Sequence, residues 1–288
     1  MEGHRILKNR WIADLVHFPT LFLIVGYPLY WIELYFLSPH KANTSPTAWI
    51  IVTLLFLIIL RSQWSSVVSS FKKIKEDFQG LNGRTKIYMW VASAFALAIL
   101  LCSLYASQFP PHLSQEHDTI TYHISIPRQH LIVGSFEHLR WSSADLFLLP
   151  VDFALAPFWL STHLPNKWPQ FFFLIGLLLI CWSLMRRFSR GHFLTGVLVV
   201  FAILASHNVG IQAGTAMVGL VKAYLFFAAL DSFLKRNIPL FAIEAAFYFW
   251  SKSFFPLEIV LVGMATFFLY YLLKKIWRGH ITLGYVEG

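Results

Sequence analysis

Long uninterrupted apolar runs separated by short polar segments dominate the chain. Such runs fall at about 15–37, 46–60, 88–107, 170–185, 193–207, 216–234, 239–255 and 257–273. Crossing roughly 30 Å of hydrocarbon takes about 20 apolar residues as a helix, so most of these runs have the length for a span, while 46–60 and 193–207 need tilt or flanking residues. The runs are continuous rather than alternating, and lipid leaves no backbone group unpaired, so the pattern predicts helices and excludes a barrel. The expected fold is an all-α polytopic membrane protein of about eight transmembrane helices. Its one long outer loop, 108–169, would contain juxtamembrane elements.

Charge placement orients these helices. With the amino terminus cytoplasmic, the inner segments hold Arg5, Lys8, Arg10, Arg61, Lys72, Lys73, Lys75, Arg84, Lys86, Arg186, Arg187, Arg190, Lys235, Arg236, Lys274, Lys275 and Arg278, which is 17 of the 23 basic residues. Cytoplasmic loops retain Lys and Arg, so both termini are expected in the cytoplasm, with 108–169 outside. The stretch 145–161, ADLFLLPVDFALAPFWL, resembles a ninth span but carries Asp145, Asp152, Pro150 and Pro157. Were it to cross, the eight inner-segment basic residues between Arg186 and Arg278 would face outward. It therefore reads as a juxtamembrane or re-entrant element of the outer face. The basic first 14 residues and the long run after them read as a retained anchor rather than a cleaved leader. A bacterial inner membrane is the expected location.

Composition sharpens the class. Hydrophobic residues make up 57% of the 288 residues and charged ones 13%, about half the charge of a soluble domain. Mean hydropathy is +0.60. These values exclude a disordered chain, a coiled coil and a disulfide-stapled secreted scaffold. Cys102 and Cys181 both lie in apolar runs, where thiols act as small hydrophobes. The net charge of +9 is distributed between spans and encodes topology, so nucleic acid is not an expected partner and the lipid bilayer is. In the cytoplasmic segment 61–88, Phe71, Lys72, Lys73, Ile74, Lys75 and Phe78 form a basic amphipathic stretch. It lies either on the anionic inner leaflet or as an ordinary solvated loop.

Polar chemistry concentrates in 108–169, which holds five of the 14 acidic residues and six of the 12 histidines. Loops longer than about 12–15 residues are usually functional or disordered. The densest part runs from Gln115 to Gly134: Glu116, His117, Asp118, then Tyr122 and His123 after three intervening residues, Pro127, Arg128, His130, and Gly134 seven residues beyond the proline. This pattern, following a span that ends near Ser107, resembles the first outer loop of the GT-C membrane glycosyltransferases, and more narrowly their branch similar to protein O-mannosyltransferases. The order downstream is similar too: a proline-containing stretch from Leu149 to Phe158, a span ending in Arg186 and Arg187, a further span, then Lys222-Ala223-Tyr224. The resemblance covers about 88–273 and corresponds to a short or amino-terminal version of such enzymes, with Lys222 where members carry an aspartate. It divides the chain into a two-span amino-terminal hairpin with its basic loop, 1–87, and a GT-C-like module, 88–288.

What the resemblance implies is transfer of a sugar from a polyprenyl-phosphate donor to an acceptor at the outer face, with inversion. An attacking hydroxyl must lose its proton, and a carboxylate within about 2.6–3.2 Å can take it. Asp118 is the first candidate for that base and Glu116 the second. The leaving lipid phosphate needs cations, for which Arg128, Arg140 and Lys222 lie on the outer side, and Tyr122 and His123 complete the set expected to bind substrate. The rival reading is a non-catalytic transmembrane subunit of a larger membrane complex, with protein subunits as partners. Lys222 could equally snorkel to the headgroups. Lys252 and Glu244, eight residues apart on one helix, could form a structural polar contact with Asp231 or Lys222. No cofactor is required, and the one cation site the histidines allow is a divalent ion beside Asp118, with His117 and His123. Pro127 separates His123 from His130, and His17, His192 and His207 lie too near span ends for a bis-histidine haem.

Overall fold

The computed structural model describes residues 15–37, 44–109, 123–136, 150–159, 167–189, 192–215 and 218–251, which form eleven α-helices and, among the described residues, no strand. In chain order these are α1 (Thr20–Ile32), α2 (Ser45–Ser62), α3 (Trp64–Gln79), α4 (Gly83–Ser107), α5 (Ser125–Val133), α6 (Pro150–Trp159), α7 (Trp168–Phe188), α8 (Phe193–Leu204), α9 (His207–Ala213), α10 (Val218–Leu234) and α11 (Ile238–Phe249). A single 3₁₀ turn, Leu15–His17, precedes α1, and a π-helical turn, Glu33–Leu37, extends it. Four helices are long and apolar enough to cross a membrane: α1 with its extension (Thr20–Leu37), α2, α4 and α7. The runs 193–207, 216–234 and 239–255 hold the shorter helices α8, α10 and α11, of 12, 17 and 12 residues. The run 257–273 lies outside the described residues, as do Lys252 and the end of the run 239–255.

Local chemistry sets the helix ends. Asn82 accepts a hydrogen bond from the Thr85 backbone N–H at 2.9 Å, so α4 starts five residues before its apolar run, taking in Arg84 and Lys86. Asn237 caps α11 in the same way, with Pro239 in the first turn. Between α10 and α11 the chain reverses through Arg236, whose φ of 58° is left-handed. The Asn237 N–H donates back to the Ser232 carbonyl at 2.9 Å, the pattern that closes a helix carboxy terminus.

The core forms around α1 and its π-helical extension, whose Phe22, Leu23, Tyr30 and Leu34 are all at most 1% exposed. Against it lies α6, every residue of which is buried. Phe22 meets Phe158 with ring centroids 4.9 Å apart, and Tyr30 stacks on Phe153 at 5.0 Å, so the two helices run antiparallel. Between these pairs, a Cβ on Gly26 would sit 1.8 Å from the Ala154 carbonyl oxygen. Glycine facing alanine is what lets two backbones approach this closely. At ten residues α6 is about 15 Å long, half the hydrocarbon thickness. Gly176 of α7 is enclosed in the same manner by Pro19 and the Tyr224 ring.

The periphery is different. In α4, 25 residues long, only Ser103 and Ser107 are buried, while Tyr88, Trp90, Phe95, Leu97, Leu101 and Tyr105 are exposed. Apolar surface of that extent is foreign to a soluble monomer and suits contact with lipid tails. Helix α3 buries no residue at all, and an ion pair at 3.1 Å from Arg186 to Asp77 ties it to the end of α7.

Candidate functional site

Asp118, Glu116, Tyr122 and Arg140 lie outside the described residues, as does His117. His123, Arg128 and Lys222 lie within them. His123 is buried immediately before α5, and its Nδ1 is 3.0 and 3.1 Å from the two carboxylate oxygens of Asp152 in α6. With Nδ1–H donating to that carboxylate, the ring has a fixed orientation and tautomer. Asp152 is itself wholly buried. The sequence had read it only as a polar residue tolerated near water, yet a carboxylate amid Val151, Phe153 and Ala154 requires a partner, and His123 supplies one.

Helix α5 also accounts for two residues of the glycosyltransferase-like pattern. Pro127 occupies the first turn, where helix N–H groups have no intrahelical partner. Gly134 ends the helix with φ 76° and donates its N–H to the His130 carbonyl at 2.8 Å, as a left-handed closing glycine does. Their spacing therefore has a local structural cause. The Tyr30 hydroxyl of α1 donates to the Pro127 carbonyl at 3.4 Å and lies the same distance from His130 Nδ1. Thus α1, α5 and α6 meet at one end of α1 through Tyr30, His130, His123 and Asp152. Arg128 is exposed on α5. Lys222 belongs to a different helix pair, its Nζ 5.4 Å from the centre of the Tyr248 ring.

A second polar cluster lies near the opposite end of α1. His17 Nδ1 is 2.8 Å from Glu244 Oε1, and His17 Nε2 is 2.9 Å from Asp231 Oδ2. The Thr20 hydroxyl, 3.0 Å from the Tyr224 hydroxyl, donates to Glu244 Oε1 at 3.0 Å, and the Ser232 hydroxyl donates to Glu244 Oε2 at 2.7 Å. Lys235 Nζ lies 2.7 Å from Asp231 Oδ2. His17, Asp231 and Glu244 are each at most 1% exposed. An imidazole with a carboxylate oxygen on each nitrogen satisfies both only as the doubly protonated cation, or by sharing a proton with one carboxyl. Glu244 and Asp231 are joined through His17, which the sequence reading did not name as their partner. The available signal was that ionisable groups within apolar runs need partners, and His17 sits at the edge of the first run. Among the described residues no group of three or more His, Cys, Asp or Glu is arranged to hold a metal ion.

Fold and clusters together define an all-helical integral membrane protein with buried polar side chains at both ends of its central helix. Compared with protein-family models, with curated proteins and with solved structures, the chain matches none of them.

Proposed function

We propose that the chain is a glycosyltransferase-like membrane protein that moves a sugar from a polyprenyl-phosphate donor to an acceptor at the outer face. The observation that supports this reading is the buried His123–Asp152 pair. It fixes His123, which closes the segment bearing Glu116 and Asp118 in sequence, against α6. A base on a loop needs such an anchor, because misplacement by about 1 Å costs about 10²-fold in rate. In this reading Asp118 takes the acceptor proton, with Glu116 as the second candidate. Tyr122 lines the acceptor side beside the His123 anchor, while Arg128, Arg140 and Lys222 answer the phosphate. The experiment is transfer from a labelled polyprenyl-phosphate hexose by the full chain in vesicles supplemented with a membrane extract as acceptor source. Asp118→Asn should lower turnover by about 10²–10⁴-fold and leave donor binding unchanged. Absence of both donor binding and transfer in the unmodified chain would refute the proposal.

A second reading rests on α4. Its exposed aromatic side chains would serve a non-catalytic subunit packed among partner helices as well as they serve lipid contact. Co-purification of stoichiometric membrane subunits, with no bound polyprenyl lipid, would favour it.

A further inference from the structure

Helix α3 is not explained by either reading. Its apolar residues Trp64, Val67, Val68, Phe71, Ile74 and Phe78 fall within about 120° of its circumference at 3.6 residues per turn; Lys75 falls just inside one edge of that arc and Lys72 just beyond it. Trp64, Val68 and Phe71 are 58%, 49% and 68% exposed, so nothing in the described chain covers this part of the face. Val67, Ile74 and Phe78 along its other edge are half-buried, the Phe78 ring 5.8 Å from Trp90 of α4. The helix joins two helices of membrane-spanning length, beginning two residues after α2 and ending four before α4. From outside the apolar arc, Asp77 pairs with Arg186 at the end of α7, which holds α3 at the level where three such helices terminate. Six basic residues stand in 61–86 (Arg61, Lys72, Lys73, Lys75, Arg84, Lys86) against two acidic ones, Glu76 and Asp77. Arg187 adds an exposed charge beside them. Of the two acids, Asp77 is matched by Arg186, and Glu76 lies 3.9 Å from Lys72.

We propose that α3 is an interfacial helix that binds anionic lipid headgroups, with Trp64, Val68 and Phe71 inserted among the acyl chains and Lys72 and Lys75 contacting the phosphates. Apolar insertion beside a lysine edge is the arrangement by which helices lie on a charged leaflet, and each lysine near such a surface is worth about fivefold in binding. A soluble acidic protein would match the charge but not three exposed large apolar side chains at the end of two membrane helices.

The test uses the full chain with Cys102→Ser and Cys181→Ala, and with a fluorophore on Ser65→Cys, one heptad before Lys72. The protein is placed in nanodiscs of phosphatidylcholine and phosphatidylglycerol, with a nitroxide near the headgroup end of the acyl chain of one lipid or the other. Nitroxide phosphatidylglycerol should quench several-fold more than nitroxide phosphatidylcholine at equal mole fraction. That ratio should fall towards one in Lys72→Gln/Lys75→Gln, and in the unmodified lysine background at high salt. Because α3 buries no residue, the double change should leave the melting temperature unchanged, and the salt series reads the same preference without any substitution of the lysines. Equal quenching by the two lipids, a preference that survives the double change, or no quenching by either because another protein covers the helix would each overturn the proposal.

Discussion

Replacing His17 by leucine removes the group that joins two buried carboxylates. Asp231 would keep Lys235 at 2.7 Å. Glu244 would keep hydroxyl donors from Thr20 and Ser232 but lose the ring nitrogen at 2.8 Å. Removing one partner from a buried charged contact costs about 3–5 kcal/mol. For a chain of this size, 1 kcal/mol corresponds to about 2–4 °C, so the melting temperature in detergent should drop by about 6–20 °C. The origin of the loss is separable from simple loss of packing. In His17→Leu/Glu244→Gln the amide keeps the hydroxyl contacts without a charge, so the second change should restore stability, with a coupling of at least about 1 kcal/mol. The assay is thermal unfolding of the wild type, both single variants and the double variant in one detergent. A single-variant cost below about 1 kcal/mol, the size of an exposed ion pair, or a double variant as unstable as the sum of the two singles, would refute the claim that His17 holds these carboxylates together.

Other outcomes follow from single positions. Gly26→Ala places a methyl group against the Ala154 carbonyl, so α1 and α6 must separate; a loss of about 1–3 kcal/mol is expected, and an unchanged melting temperature would show that α6 is not packed there. Arg236→Gly relieves a left-handed residue and should raise stability by about 1 kcal/mol, which unfolding in a denaturing detergent would register as a later midpoint. With native cysteines replaced, an impermeant thiol reagent applied from outside should label Asn208→Cys and spare Gly80→Cys, both exposed in the structure; the reverse pattern would invert the topology. If Lys222 holds a lipid phosphate, Lys222→Met should weaken binding of a polyprenyl-phosphate analogue by several-fold to a hundredfold; if it serves packing within its helix pair, as at the Tyr248 ring, lipid binding should not change.

Helix existence was legible wherever one physical factor dominated. The runs that became α2, α4 and α7 need only apolar length, and their ends follow Pro46, Asn82 and Pro169, residues whose capping or first-turn preferences are local. Two prolines and an aspartate mark 150–159 as unlike its neighbours, and a short helix forms there. What could not be read was that all ten of its residues are enclosed. That depends on Gly26, 128 positions earlier, giving up a side chain so that the Ala154 backbone can approach. Hydropathy reports what a residue prefers and carries no record of which neighbour satisfies it.

The same limit explains the two polar clusters. The sequence singled out Asp118 and Glu116 because a dense polar loop advertises itself, and it treated Asp152 as incidental because aspartate beside proline at a membrane edge is unremarkable. Burial reverses that ranking for Asp152, since a carboxylate with no access to water is held by its partners or not at all. His123 then becomes informative through Asp152 rather than through its place in a motif, while Pro127 and Gly134 lose weight because helix geometry alone calls for them. His17, Asp231 and Glu244 come from three separate apolar runs and meet at 2.8 and 2.9 Å. No spacing rule links positions 214 and 227 residues apart. What the sequence did contain was the constraint that each ionisable group within an apolar run requires a partner of opposite character. With Lys222 beside Tyr248 and Lys235 beside Asp231, that constraint leads Glu244 to the histidine at the entrance of α1.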